Sequence, residues 1–321
     1  MPSNSRRPRL LIATGLAAAL ALTGCSASTA EEAADGDSRT VETMFGEVTV
    51  PVEVDSVVAL EGRRDLDIVL SLGLPLAGYP FEGDNGQDLE APLTGLTAAA
   101  VADGASELFL DDEINVEAIA EAAPALIIGR YSDVEPILDE LNAIAPTIAI
   151  GDQSTSTWQD DLTLVAEATG TEEKAQSLIA EYDARVEQIS SEYAEQIAAN
   201  TVVPVSYDEE GSAVRAGRLM SAALLDVGAQ PSEAFEAAIA AEDGADYSLE
   251  QTVEAYSDAA GIIALVNTSD SWALWNNDAL VQQLPATAAA TVVRSDRMTH
   301  EGGPTTALAS LDVIEQLYAS F

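Results

Sequence analysis

Cysteine, histidine and lysine each occur once in this chain, as Cys25, His300 and Lys174. A single cysteine excludes an internal disulfide. A single histidine excludes a multi-histidine metal site. Cationic residues are scarce, 13 lysines and arginines against 55 aspartates and glutamates, for a formal net charge of −42. So anionic a body does not bind nucleic acid, whose capture depends on basic side chains neutralising phosphate. The excess of acids is first of all a well-solvated surface, and it makes each cluster of arginines informative. Aromatic residues are only 5% of the chain, so two tryptophans close together stand out. The apolar run at residues 10–22 is too short to span a bilayer comfortably. Neither a Gly-x-Ser-x-Gly elbow nor a phosphate-cradling Gly-x-x-x-x-Gly-Lys is present.

What is present begins with Arg6, Arg7 and Arg9 ahead of that apolar run, the order of a secretory signal peptide over residues 1–24. Leu22-Thr23-Gly24-Cys25 closes it and resembles the lipobox of bacterial lipoproteins. The resemblance implies that Cys25 is lipidated and becomes the mature N-terminus, anchoring the chain outside the cytoplasm on a membrane face. The pair Arg6-Arg7 after Ser5 leaves both the general and the twin-arginine export routes open. Residues 25–40 are small, polar and acidic, a flexible tether.

Beyond the tether, residues 41–50 alternate and read as a hairpin turning at or near Phe45-Gly46-Glu47. Val57-Val58-Ala59-Leu60 suits a buried parallel strand, followed by a helical face at Leu66, Ile68, Val69, Leu70 and Leu72 that Gly73 and Pro75 stop. Strands at 76–79, 125–128 and 147–150 alternate with helices after Asn115 and over 134–144. This is an α/β pattern with a largely parallel sheet. From 171 to 199, apolar residues keep three-to-four spacing, with Thr171 placed to cap. A continuous helix there is about 43 Å long, enough to connect two lobes. A second α/β stretch has strands at 202–207, 261–266 and 291–293 and helices at 219–227, 279–284 and 307–318. The halves echo each other. Leu70-Ser71-Leu72-Gly73 parallels Leu225-Asp226-Val227-Gly228, and Leu126-Ile127-Ile128 parallels Gly261-Ile262-Ile263. The division expected is therefore an N-terminal lobe over 41–170, a connecting helix over 171–199 and a C-terminal lobe over 200–321.

These segments resemble the class III (cluster A) substrate-binding proteins of ATP-driven importers, the iron–siderophore, cobalamin and haem group. The similarity is carried by residues 115–129 (NVEAIAEAAPALIIG), 141–146 (LNAIAP), 166–174 (AEATGTEEK), Leu284-Pro285-Ala286 and Gly302-Gly303-Pro304, in family order. The spacing of 115–129 is closer to the siderophore branch. The resemblance implies two α/β lobes, each with a largely parallel central sheet, joined by one long rigid helix, with a ligand cleft between them. A rigid connector permits only modest closure.

Ligands of α/β folds sit beyond the carboxyl ends of parallel strands. Arg63 and Arg64 follow one such strand, and Arg130 and Tyr131 follow another. Guanidinium is a permanently charged planar donor suited to carboxylate, catecholate or hydroxamate oxygens. The plain alternative is pairing with the abundant acids. Tyr207, Arg215, Arg218, Trp272 and Trp275 are second-lobe candidates, the tryptophans as a loop pair that lines the cleft or packs in the core, and Arg294 is a weaker one. Glu117 and Glu250 open helices at matching places. Their ordinary role is helix N-terminal charge, and the resemblance implies docking onto arginines of the permease. His300 is expected to be solvated rather than a ligand.

The expectation is thus a monomeric extracytoplasmic lipoprotein that captures a ferric siderophore and delivers it to an ABC permease, with no enzyme activity, cofactor or metal site of its own. Cobalamin or haem are alternatives within the family. An exported hydrolase with a carboxylate-only site is the rival outside it.

Overall fold

Short runs of β-branched and aliphatic residues, each followed by a helix, build two separate sheets. The computed structural model describes residues 38–81, 88–152, 155–241, 244–266 and 268–321. Cys25, the signal peptide and all but the last residues of the tether lie outside them. The strands β1 (Ser38–Thr43) and β2 (Gly46–Pro51) form an antiparallel hairpin. Its turn is at Met44-Phe45, within the expected place, and Gly46, with a left-handed φ of 96°, starts β2. Next come β3 (Val57–Ala59), β4 (Leu76–Phe81), β5 (Ser106–Leu110), β6 (Leu126–Arg130) and β7 (Thr147–Ile150). They form a parallel sheet in the order β5-β4-β3-β6-β7. In the second lobe, β8 (Thr201–Tyr207), β9 (Ser212–Val214), β10 (Gln230–Pro231), β11 (Ala245–Tyr247), β12 (Gly261–Leu265) and β13 (Val292–Ser295) form a sheet. Its order is β11-β9-β8-β12-β13, with β10 also on β8. It is parallel at β10, β8, β12 and β13 and antiparallel at β9 and β11.

The internal echo is structural. In each lobe a first strand (β3, β8) is followed outward by β6 and β7 or by β12 and β13. Gly73 and Gly228 both take left-handed φ values, 74° and 83°, after matching helices.

The connector departs from expectation. One helix spans Glu172–Glu192, about 31 Å long. Tyr193 leaves the helical region at φ −107° and ψ 22°, and a second helix, Ala194–Ala199, follows. Tyr193 and Ile197 both pack on the core at this break. Thr171 makes no side-chain cap, because its hydroxyl pairs with that of Thr169 at 2.9 Å. The helix expected over 134–144 is divided among Tyr131–Val134, a 3₁₀ turn at Glu135–Ile137 and Leu138–Asn142, since Pro136 removes a backbone donor. The segment expected as a helix over 279–284 is a 3₁₀ turn, Val281–Gln283, before the helix Pro285–Ala289.

One large apolar cluster continues from the first sheet to the second, while two smaller ones, around Leu60 and around Tyr79, belong to the first lobe. The large cluster includes Val57, Ile68 and Ile150 of the first lobe, Trp158, Leu162 and Tyr182 of the helices between, and Val202, Ile262 and Leu311 of the second. The connector is fastened near its middle to both lobes. The Trp158 and Tyr182 rings meet edge to face at 5.3 Å, while the Tyr182 hydroxyl donates to Asp226 and Arg185 pairs with Glu315 and Asp312 of the closing helix, Pro304–Tyr318.

Candidate ligand-binding site

Three buried aspartates on first-lobe helices shape the loops of the site. Asp65 accepts from the backbone N–H groups of Leu60, Glu61 and Gly62 at 2.7, 2.7 and 3.0 Å, fixing the loop after β3. Gly62 has φ 82° there, and a Cβ would lie 2.9 Å from Pro80 Cγ. Asp161, on the helix Trp158–Thr169, accepts from Gly151 N–H at 2.9 Å and pairs with Arg64 at 2.7 Å, holding the segment after β7. Asp67, on the helix Arg64–Leu72, accepts from the N–H groups of Gly303, Thr305 and Thr306 and from the Thr306 and Ser71 hydroxyls. A first-lobe carboxylate thereby caps the closing helix of the second lobe, whose first turn has unpaired N–H groups and the positive end of its dipole. Ser71 and Thr305 hydroxyls, 2.8 Å apart, reinforce the junction.

Three arginines meet at Glu301, beside those loops. Glu301, between β13 and the closing helix, lies 3.7 Å from Arg63 and 3.4 Å from Arg130 through Oε2, and it receives Arg218 on Oε1. Arg63 and Arg130 come from the first lobe, and Arg218 precedes the helix Leu219–Asp226 of the second. Arg130 also contacts Glu61 at 3.1 Å, Asp133 at 3.3 Å and Asp152 at 3.6 Å. The three arginine side chains remain between 27% and 35% exposed, whereas Glu301 is 6% exposed. Burial, the Asp65 charge and a hydrogen bond with Glu301 push the Glu61 carboxyl well above the ordinary range, against the pull of Arg130. Burial also works against charge on Glu301, but the Glu61 bond and the three guanidinium groups hold it below the ordinary value. The two carboxyls are thus pushed in opposite directions, Glu61 towards its protonated form and Glu301 towards its carboxylate.

A second contact crosses the lobes nearby. Arg294 on β13 forms a two-pronged pair with Asp88, one bond being 3.1 Å, and sits 5.9 Å from the centre of the Trp272 ring. The hydrogen bond from Arg294 holds the Asp88 carboxyl below its usual range.

The remaining candidates are placed as follows. Arg64 is buried on Asp161 and contacts Ser156, which assigns its guanidinium to the interior of the first lobe. Tyr207 is buried, edge-on to Trp275 at 5.0 Å with its hydroxyl on Asp278. Trp275 is 1% exposed, a core residue. Trp272 and Trp275 lie on the helix Ser269–Asn277 rather than in a loop, because Thr268 caps it by accepting from Ser271 N–H. Only Trp272 is half-buried at the edge of the junction. Arg215 pairs with Asp246 in a separate hollow of about 250 Å³ with Ser206, Asp208 and Tyr247. Tyr131 is half-buried, stacked on Phe45 at 5.0 Å and bonded to Glu135. His300 is buried, 3.4 Å from the Ser206 hydroxyl, and not solvated as expected. Glu117 and Glu250 are exposed in the first turns of their helices, beside the caps Asn115 and Ser248.

Sequence reasoning reached Arg63 and Arg130 but missed Glu61 and Glu301. Their signals were slight: Glu61 directly follows the β3 run, and Glu301 directly precedes Gly302-Gly303-Pro304.

Residues 102–296 match the periplasmic binding protein family. The chain belongs to that family. The binding protein is 32% identical over 188 residues to the probable siderophore-binding lipoprotein YfiY of Bacillus subtilis, covering 56% of this chain and 54% of that one. It is 28% identical over 197 residues to the Fe(3+)-citrate-binding protein YfmC of the same organism, covering 60% of each. The matched part thus spans just over half the length of these curated relatives. Among solved structures, the siderophore periplasmic binding protein from the fuscachelin gene cluster of Thermobifida fusca is 27% identical with a TM-score of 0.68, over 84% of this chain and 98% of that one. SirA of Staphylococcus aureus, solved with staphyloferrin B, has a TM-score of 0.71 at 19% identity, over 88% and 97% of the two chains, a likeness of fold.

Proposed function

We propose that this binding protein is the extracytoplasmic receptor of an ABC importer, capturing a ferric siderophore between its lobes and delivering it unchanged to a permease. The observation that carries the reading is the convergence of Arg63, Arg130 and Arg218 from two lobes on one half-open point. Although Glu301, Asp133 and Asp152 face them, three permanent, partly exposed positive charges gathered at one place stand out in a body of net charge −42. They favour chelates whose carboxylate or catecholate oxygens carry negative charge over neutral hydroxamate complexes. The names of relatives that bind siderophores or ferric citrate support the same class. Trp272, beside Arg294, is the partly exposed aromatic candidate for packing on a chelate. Selection of an intact chelate needs positioned donors and no covalent step, so no catalytic residue is assigned.

In this reading Cys25 bears the lipid anchor, the protein acts as a monomer, and Glu117 and Glu250 meet basic residues of the permease. Their exposure and matching helix positions support that role. Cobalamin and haem remain the comparison ligands within the family.

The test is a titration of purified protein with ferric catecholate, ferric citrate-type, ferric hydroxamate, cobalamin and haem, followed by tryptophan fluorescence. Saturable quenching at micromolar or lower concentration by an anionic ferric chelate is expected. A flat response to every ferric chelate contradicts the proposal.

A further inference from the structure

Glu301 differs from the arginines around it in how enclosed it is, 6% exposed against 27% to 35%. Its oxygens are divided between the lobes, Oε1 to Arg218 and Oε2 to Arg63 and Arg130. Its backbone cannot swing aside readily, because the next residues, Gly303 to Thr306, are bound to buried Asp67. Arg130 does not depend on Glu301 for its position, since Glu61, Asp133 and Asp152 also hold it. The carboxylate is therefore a fixed, enclosed negative charge among three partly exposed arginines. A charge at such a site acts on a nearby ligand charge with little solvent screening.

We propose that Glu301 is a built-in counter-anion that sets the charge preference of the cleft. It cancels part of the arginine charge in the empty and the loaded protein alike. An anionic guest is consequently held less tightly, and released faster, than the same cleft would hold and release it without the Glu301 charge. For a receptor that must surrender its cargo, that limit on affinity is useful. The statement about cargo rests on the reading of the site as a chelate cleft, while the effect on anions does not. Ionisation of Glu301 is supported by its surroundings: burial opposes the charge, but the bond with Glu61 and the three guanidinium groups prevail.

The experiment titrates the wild type and Glu301→Gln, by calorimetry at fixed salt, with an anionic ferric citrate-type complex, a neutral ferric trihydroxamate and iron-free citrate. Glu301→Gln is expected to bind both anionic probes at least about tenfold more tightly, through slower dissociation, with no matching gain for the neutral complex. Glu301→Ala makes the same charge change without an amide and is expected to act in the same direction. Equal or weaker citrate binding by the variants overturns the proposal, as does absence of citrate binding in all three proteins. Failure of both variants to fold would make Glu301 a structural residue and also overturn it. If the variants gain on citrate but no protein binds a ferric chelate, the counter-anion stands and the siderophore reading falls.

Discussion

Arg63 and Arg64 are neighbours in sequence with opposite duties. Arg64 is 8% exposed and locked to Asp161, while Arg63 faces the lobe junction near Glu301. Removing one partner of a buried pair strands the other charge, at a cost of about 3–5 kcal/mol. Arg64→Ala should therefore lower unfolding free energy by about that amount in urea titrations, whereas Arg63→Ala should leave stability nearly unchanged and weaken ligand binding. The carboxyl pair gives a pH signature. Glu61 has a raised value in the folded state, so its contribution to stability is complete below the ordinary glutamate pKa of about 4.3 and is lost as pH rises through the folded value. Glu301 has a lowered value, so its contribution is present above the ordinary pKa and is lost as pH falls through the folded value. Stability should peak between these limits. Glu61→Gln should flatten the alkaline arm of the pH–stability curve and leave the acid arm, and an unchanged alkaline arm would show that Glu61 is not the group responsible.

At the scale of elements, the site depends on caps that join residues far apart in sequence. Asp67→Ala would leave the buried N–H groups of Gly303 and Thr306 without their acceptor. A loss of about 3 kcal/mol in stability is expected, with weaker anion binding because Glu301 follows the freed turn. Equal affinity in a destabilised variant would separate the cap from the site. This kind of dependence also decides what was legible in the sequence. Strands β3, β6, β7, β8 and β12 were readable because each is a short aliphatic run, and Gly73 marked a helix end correctly, with left-handed φ. The helix Thr94–Ala102 escaped notice because it buries no residue and so has no apolar stripe. The short strands β9, β10 and β11 carry too few residues for a period of two. The connector read as continuous because the apolar spacing persists through Tyr193, where only the backbone reveals the break. Arg63 and Arg130 were legible from strand ends. Glu301 was not, because its meaning lies in partners up to 238 positions away in the chain.

For the whole molecule, two sheets share one large apolar cluster, with the connector and the Asp67 cap as separate fasteners. Relative motion of the lobes would have to break packed side chains at the base of the junction, and packed cores deform little. Small-angle scattering should accordingly give nearly superimposable curves with and without ligand, and a large contraction on binding would refute the rigid connection. In the proposed reading, capture falls to the side chains that the packed lobes gather around Glu301. The most direct measurement is the affinity of an anionic ferric chelate for the wild type and for the variant carrying Arg63→Ala, Arg130→Ala and Arg218→Ala together, at matched salt with folding verified. The account predicts micromolar or tighter binding by the wild type and a loss of at least about 100-fold in the variant; undiminished binding without the three arginines would contradict it.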